Sequence, residues 1–139
     1  MDRLELLMTR FATESLGKKH GLILEKLREG HAVIRYTALK EDCVINDKGQ
    51  GIVQGGVIGG VLADFAAVYS AMSAIPAGHT PLMVCNFSMP RPTLENETVF
   101  AEATVINISK SMISVTVKIS DCNSKLKCEG SYYFGNPKL

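Results

Sequence analysis

Between Lys48 and Arg91 the chain carries a single formally charged side chain, Asp64, inside a long apolar stretch. A carboxylate among apolar neighbours is costly to keep ionised, so its proton affinity rises, which is how general bases and carboxylate nucleophiles are tuned. No cation stands three or four residues from Asp64 to pair with it along a helix. The competing reading is structural: a core aspartate that caps a loop amide or bonds a nearby hydroxyl. Just upstream, Gln54-Gly55-Gly56 places glycine amides where a helix begins. The first N–H groups of a helix lack intrahelical acceptors and the dipole favours negative charge there, so such a terminus polarises a carbonyl or holds an oxyanion. Glycine leaves the approach open where any side chain would obstruct a ligand. Two glycine amides at a helix start, with a lone acid two turns on, point to attack on a polarised carbonyl.

The element that must position these groups is a helix over 55–75. At about 100° per residue its large residues (Val57, Ile58, Val61, Leu62, Phe65, Val68, Tyr69, Met72, Ile75) fall on one side. The small ones (Gly59, Gly60, Ala63, Ala66, Ala67, Ser70, Ala71, Ala74) fall on the other, with Asp64 at the seam. The large side is expected to fill a sheet, and the small side to admit a second copy of the chain. The G-x-x-x-G spacings Gly55/Gly59 and Gly56/Gly60 raise the question of a membrane span. A mid-segment Asp costs about 3 kcal/mol on insertion scales, no Lys or Arg closely anchors the ends, and the remaining strands need a helix to cover one face. A buried helix is the better reading.

Around it, Asp2 to Leu16 reads as an amphipathic helix capped by Asp2, with Leu4, Leu7, Met8 and Phe11 as its stripe and Gly17 as its stop. Strands follow near 21–28 and 31–38, joined at Glu29-Gly30, and residues 40–53 read as a loop. After Pro76 the period changes to two. Strands are predicted at 80–89, 98–108, 111–121 and 126–134, the third alternating Ile113, Val115, Val117, Ile119 against Met112, Ser114, Thr116, Lys118. Consecutive strands on short links make an antiparallel sheet, giving an α+β class in which the sheet wraps one long helix. Residues 1–139 are expected to form one domain.

The net charge is +1, which leaves no electrostatic drive toward nucleic acid or an anionic membrane. The four cysteines, Cys43, Cys85, Cys122 and Cys128, occur singly and are read as reduced thiols of a cytoplasmic protein. Cys122 and Cys128 flank a turn, which leaves a pair across a hairpin as the other possibility. His20, His31 and His79 lack metal-ligand spacing, so no metal is assigned. The charged N-terminus is unlike a signal peptide.

Gln54-Gly55-Gly56-Val57-Ile58, the Ala63-Asp64 pair and the strand ending Phe87-Ser88-Met89-Pro90-Arg91-Pro92 resemble the PaaI-like branch of the hotdog-fold thioesterases, over roughly residues 22–134. The resemblance implies a sheet wrapped around a central helix, a homodimer or dimer of dimers with joined sheets, and acyl-CoA bound between subunits. It implies Gly56, with Gly55, as the amide that polarises the thioester carbonyl, and Asp64 as base or nucleophile acting across the interface. Gln54 stands where a histidine is usual, and Asn46 is the candidate loop asparagine. Thr80 is the nearest hydroxyl to a serine or threonine of the family pattern, whose own position holds Leu82. Phe65 and Tyr69 are expected to shape the acyl pocket, and Arg91, Lys110 and Lys48 to meet the phosphates of CoA. No organic cofactor or metal is expected, because a thioester is already activated and coenzyme A enters as part of the substrate. The family usually has nine residues from the His/Gln to the acid, whereas Gln54 to Asp64 is ten. One extra residue rotates the acid by about 100° unless a bulge absorbs it. Thioester hydrolysis is the leading reading, and a non-catalytic acyl-CoA-binding dimer the alternative. A hydratase is disfavoured because no histidine lies near Asp64.

Overall fold

The computed structural model describes residues 2–76 and 78–137. Asp2 caps α1 (Arg3–Thr13), its carboxylate accepting from the Glu5 amide at 2.9 Å. Leu7 and Phe11 are buried and Leu4 half-buried, but Met8, expected on the same stripe, faces outward. The helix breaks at Glu14 and resumes as α2 (Ser15–Lys19). Gly17 lies inside α2 and does not stop it. The chain instead turns away at Gly21, in the left-handed region at φ +68°.

The hairpin of β1 (Ile23–Arg28) and β2 (His31–Thr37) turns at Glu29-Gly30 as predicted, Gly30 having φ +75°. Residues 40–53, read as a loop, fold into a 3-10 turn (Lys40–Asp42) and a short antiparallel pair, β3 (Cys43–Ile45) and β4 (Gly51–Val53). Three-residue strands are too short to leave an alternation in the sequence. Then come the central helix (Gly55–Ala74) and four strands: β5 (Leu82–Ser88), β6 (Thr98–Ile108), β7 (Met112–Asp121) and β8 (Leu126–Gly135). The main sheet runs β1-β2-β6-β7-β8-β5, every pairing antiparallel.

Ile113, Val115, Val117 and Ile119 of β7 are buried, as their alternation predicts. The central helix is apolar enough to resemble a membrane span, yet its own sheet and α1 cover most of it. Its large residues Ile58, Leu62, Tyr69 and Met72 are buried, and Phe11 of α1 meets Phe65 and Tyr69 edge to face. The small residues Gly59, Ala63, Ala66, Ala67, Ser70 and Ala71 are buried too. This corrects the expectation that they await a second copy: the chain's own strands cover them, the Phe87 ring lying against Gly59. The side left partly open is a different stripe, Val57, Gly60, Val61, Asp64 and Val68, at the i, i+3/i+4 spacing of one helix face. All four cysteines are free.

The start of the central helix is pinned by a buried polar hub. The Asp42 carboxylate accepts from the Tyr36 hydroxyl at 2.6 Å and lies 2.9 Å from His20 Nδ1, while the Asp42 carbonyl accepts from the Gln54 amide at 3.0 Å. His20, Tyr36 and Asp42 are all buried. Asp42→Ala would strand two buried polar groups, so we expect a loss of about 3 kcal/mol in denaturant unfolding. A loss below about 1 kcal/mol would show that the hub holds little.

Candidate active site

Gln54 is extended (φ −58°, ψ 141°) and its carbonyl accepts from the Val57 and Ile58 amides at 3.0 and 3.2 Å. The Gly55 and Gly56 amides, at the first two helical positions, carry no hydrogen bond among the described residues. Gly56 is exposed, and a Cβ there would meet nothing within 4 Å. The space beside that residue is open. At Gly55 a Cβ would press to 3.2 Å of Met89 Cε. The Gln54 side chain is exposed at the same end.

Beyond this first turn the helix widens. Residues Ile58–Leu62 form a π turn, in which the Ala63 amide donates to the Ile58 carbonyl five residues back. A turn closed i→i+5 holds one residue more than a turn closed i→i+4. The ten residues from Gln54 to Asp64 therefore bring the acid round to about where nine residues of regular helix would. The bulge that the spacing called for is present. Within it, the Gly59 carbonyl accepts from the Tyr132 hydroxyl at 2.5 Å. Gly59 must be glycine, because a Cβ would lie 2.1 Å from the Phe87 ring.

Asp64 projects on the half-open stripe. Its Oδ1 is buried, and no hydrogen bond to the carboxylate exists among the described residues. The structural reading, a cap on a loop amide or hydroxyl, is therefore not what the fold uses it for. Burial alone raises its carboxyl to about 6. Nearby, burial first, then the charges of Cys128, Cys85 and Asp64, keep the Tyr132 phenol protonated well above its ordinary range.

The other expected residues are more scattered. Asn46 is committed to the β3–β4 turn, its Oδ1 accepting from the Lys48 and Gln50 amides at 2.9 and 2.8 Å and its Nδ2 donating to Gln50 Oε1. Phe65 sits under α1 beside Phe11 and Tyr69, inside the subunit. Thr80 is buried before β5 with its hydroxyl unpartnered among the described residues. Arg91 donates to the Leu126 carbonyl at 3.0 Å, and Lys48 and Lys110 are exposed in turns. Gln54, Gly55 and Gly56 lie at the start of the helix that carries Asp64, Gln54 and Gly56 exposed and Gly55 and Asp64 half-buried. The eight residues from Gly56 to Asp64 span about 12 Å of helix axis. Tyr132 and Phe87 were missed. Their inward positions follow from strand alternation, but a hydrogen bond to a helix carbonyl leaves no mark in the sequence.

No family model and no curated protein matches the chain. Solved structures do. The E. coli PaaI protein, from the phenylacetic acid degradation operon, superposes with TM-score 0.81 at 21% identity over 94% of this chain and 89% of that one. Zebrafish thioesterase superfamily member 2 gives 0.78 at 15% over 95% and 94%. A Streptococcus mutans protein bound to acetyl-CoA gives 0.72 at 13% over 84% and 90%. The architecture is the hotdog fold, an antiparallel sheet wrapped around one long helix with a further helix at the N-terminus.

A carboxyl raised in the folded state binds its proton more tightly there than in the unfolded chain. Stability is therefore highest below the ordinary value of 3.8 and falls as pH rises through about 6. Asp64→Asn removes that cost. We expect it to stabilise the protein at pH 7.5 by on the order of 2 kcal/mol after allowance for solvent screening, and to have almost no effect near pH 3. Denaturant midpoints at the two pH values check this, and a variant less stable than wild type at pH 7.5 would contradict it.

Proposed function

We propose that this chain hydrolyses an acyl-CoA thioester to the free acid and CoA. The observation that carries the reading is the unpaired Asp64 carboxylate, raised to about 6, on the same helix whose start carries two glycine amides with no hydrogen bond among the described residues. The likeness in fold to thioesterase-superfamily structures, one of them bound to acetyl-CoA, supports it.

The Gly56 amide, helped by Gly55 and the helix dipole, holds the thioester carbonyl oxygen and the negative charge that develops on it. Asp64 takes a proton from water as its oxygen bonds to the carbonyl carbon. The C–S bond then breaks, and the thiolate of CoA leaves and is protonated. Gln54 flanks the carbonyl, and Arg91, Lys48 and Lys110 are the cations available to the phosphates of CoA.

Reacting groups must stand within about 3.5 Å of one another. The two devices on one helix are about 12 Å apart and cannot serve the same carbonyl. A second copy of the chain resolves this, with the amides of one facing the acid of the other. Strand β5 supports such pairing. It is an edge strand with every residue exposed, Met83 and Val84 at 55% and 54%, and an apolar unpaired edge is a template for another strand. A β5-to-β5 pair extends the sheet and covers the stripe beside Asp64, giving a dimer that can pair again.

The test is CoA-thiol release over a panel of acyl-CoA substrates. Wild-type kcat/KM is expected to rise with pH through a midpoint near 6, since the base works deprotonated, and Asp64→Asn to lose about a hundredfold or more. Hydrolysis unchanged in Asp64→Asn removes the acid from the mechanism. Saturable acyl-CoA binding with no turnover of any substrate makes the protein a ligand-binding module instead.

A further inference from the structure

The π turn creates a problem that the fold has to solve. In a regular helix the Gly59 carbonyl would accept from the Ala63 amide, four residues on. Here that amide is taken by Ile58. A buried carbonyl left without a donor is costly, so a helix carrying an extra residue tends to expel it unless another group satisfies the freed oxygen. Gly59 is buried.

The donor comes from the sheet. Tyr132 lies on β8, fully buried and in register between Cys85 of β5 and Val115 of β7. Its hydroxyl donates to the Gly59 carbonyl at 2.5 Å. A second strand grips the same residue, since the Phe87 ring fills the place a Gly59 side chain would occupy. The widened turn is thus held at one residue by two neighbouring strands, and Asp64 follows five residues later.

We propose that Tyr132 is a positioning residue, whose hydroxyl holds the π turn open and so sets the direction in which Asp64 projects. It touches no reacting atom. Without the hydroxyl, the Gly59 carbonyl loses its donor and the turn relaxes toward regular α-helix. With the same residues in place, that rotates Asp64 by about 100° relative to Gly56. Deleting one residue from the turn does the opposite. Gly60 is exposed and has open space around it. Without it the Ile58 carbonyl meets the Ala63 amide, and the Gly59 carbonyl the Asp64 amide, at ordinary helical spacing. Asp64 then returns to phase with no need of Tyr132.

This gives a rescue that a merely structural tyrosine would not show. Wild type, Tyr132→Phe, a Gly60 deletion and the double variant are compared by two readouts. One is thioester hydrolysis, which rests on the function proposed above. The other is the titration midpoint of the Asp64 carboxyl, followed by its carbon-13 resonance, which reports the placement of the acid whether or not any thioester is cleaved. Tyr132→Phe is expected to lower kcat about a hundredfold, with KM changed less than about twofold, and to move the midpoint away from the wild-type value. The deletion and the double variant should match wild type in both. If Tyr132→Phe does not fold, the double variant should still do so and show the wild-type midpoint. A Tyr132→Phe protein with wild-type rate and midpoint overturns the proposal. A double variant as impaired as the single one, or unfolded like it, also overturns it. Absence of hydrolysis in wild type, with the midpoints behaving as expected, rejects the proposed reaction and leaves the positioning role standing.

Discussion

A helix that is apolar on every side must be covered on every side, and one six-stranded sheet with one short helix does not reach all the way round. The rest of the structure depends on that shortfall. The alanines sit inside because the chain's own strands lie close against them, while Phe65 and Tyr69 lock α1 onto the opposite side. What remains is the stripe from Val57 to Val68, while the outer edge of β5 pairs with no strand among the described residues. A carboxylate placed deeper would cost far more, and one placed farther out would keep its ordinary proton affinity. Asp64 lies between those two extremes, half-buried with its carboxyl raised to about 6.

The same helix sets the symmetry the site requires. Its first amides carry no hydrogen bond among the described residues and its acid emerges two turns later, so in the proposed reaction a single copy would offer half of the chemistry at each of two places. In the proposed reaction, a two-fold axis through paired edges would exchange the halves and make two whole sites, as in an isologous dimer. The Asp42 hub and the Tyr132 bond belong to this logic. One fixes where the helix starts, and the other fixes how far it has turned by Asp64.

Much of this was legible beforehand because it rests on local pattern. The alternation of β7, the Asp2 cap and the Glu29-Gly30 turn are all properties of a few adjacent residues, and they are observed as predicted. The isolation of Asp64 in an apolar run is visible in the sequence. Its ten-residue spacing from Gln54, set against the family's nine, left open whether a bulge absorbs the extra residue, and the π turn is the answer. Three kinds of feature were not legible. The β3–β4 pair is too short to print a period, so the sequence did not show that Asn46, a candidate through the resemblance alone, has its side chain bonded within the turn. The small helical residues were assigned to a second copy because a helical wheel shows which residues share a side and not which neighbour arrives there. Tyr132 belongs to a third kind, since its role joins two elements 73 positions apart and only the folded backbone brings them together.

The central claim is that Asp64 of one copy acts on a carbonyl held by Gly56 of another. Mixing two inactive proteins tests it. Gly56→Pro removes the amide donor at a helix start that tolerates proline, where an added side chain meets nothing, and Asp64→Asn removes the acid. Co-refolded in equal amounts, they form mixed dimers in half of all pairings. Each mixed dimer carries one intact site and one doubly defective site. The account predicts recovery of about a quarter of wild-type thioester hydrolysis in the mixture, from two proteins that separately show almost none. A mixture as inactive as its components, with mixed dimers demonstrated, would contradict it.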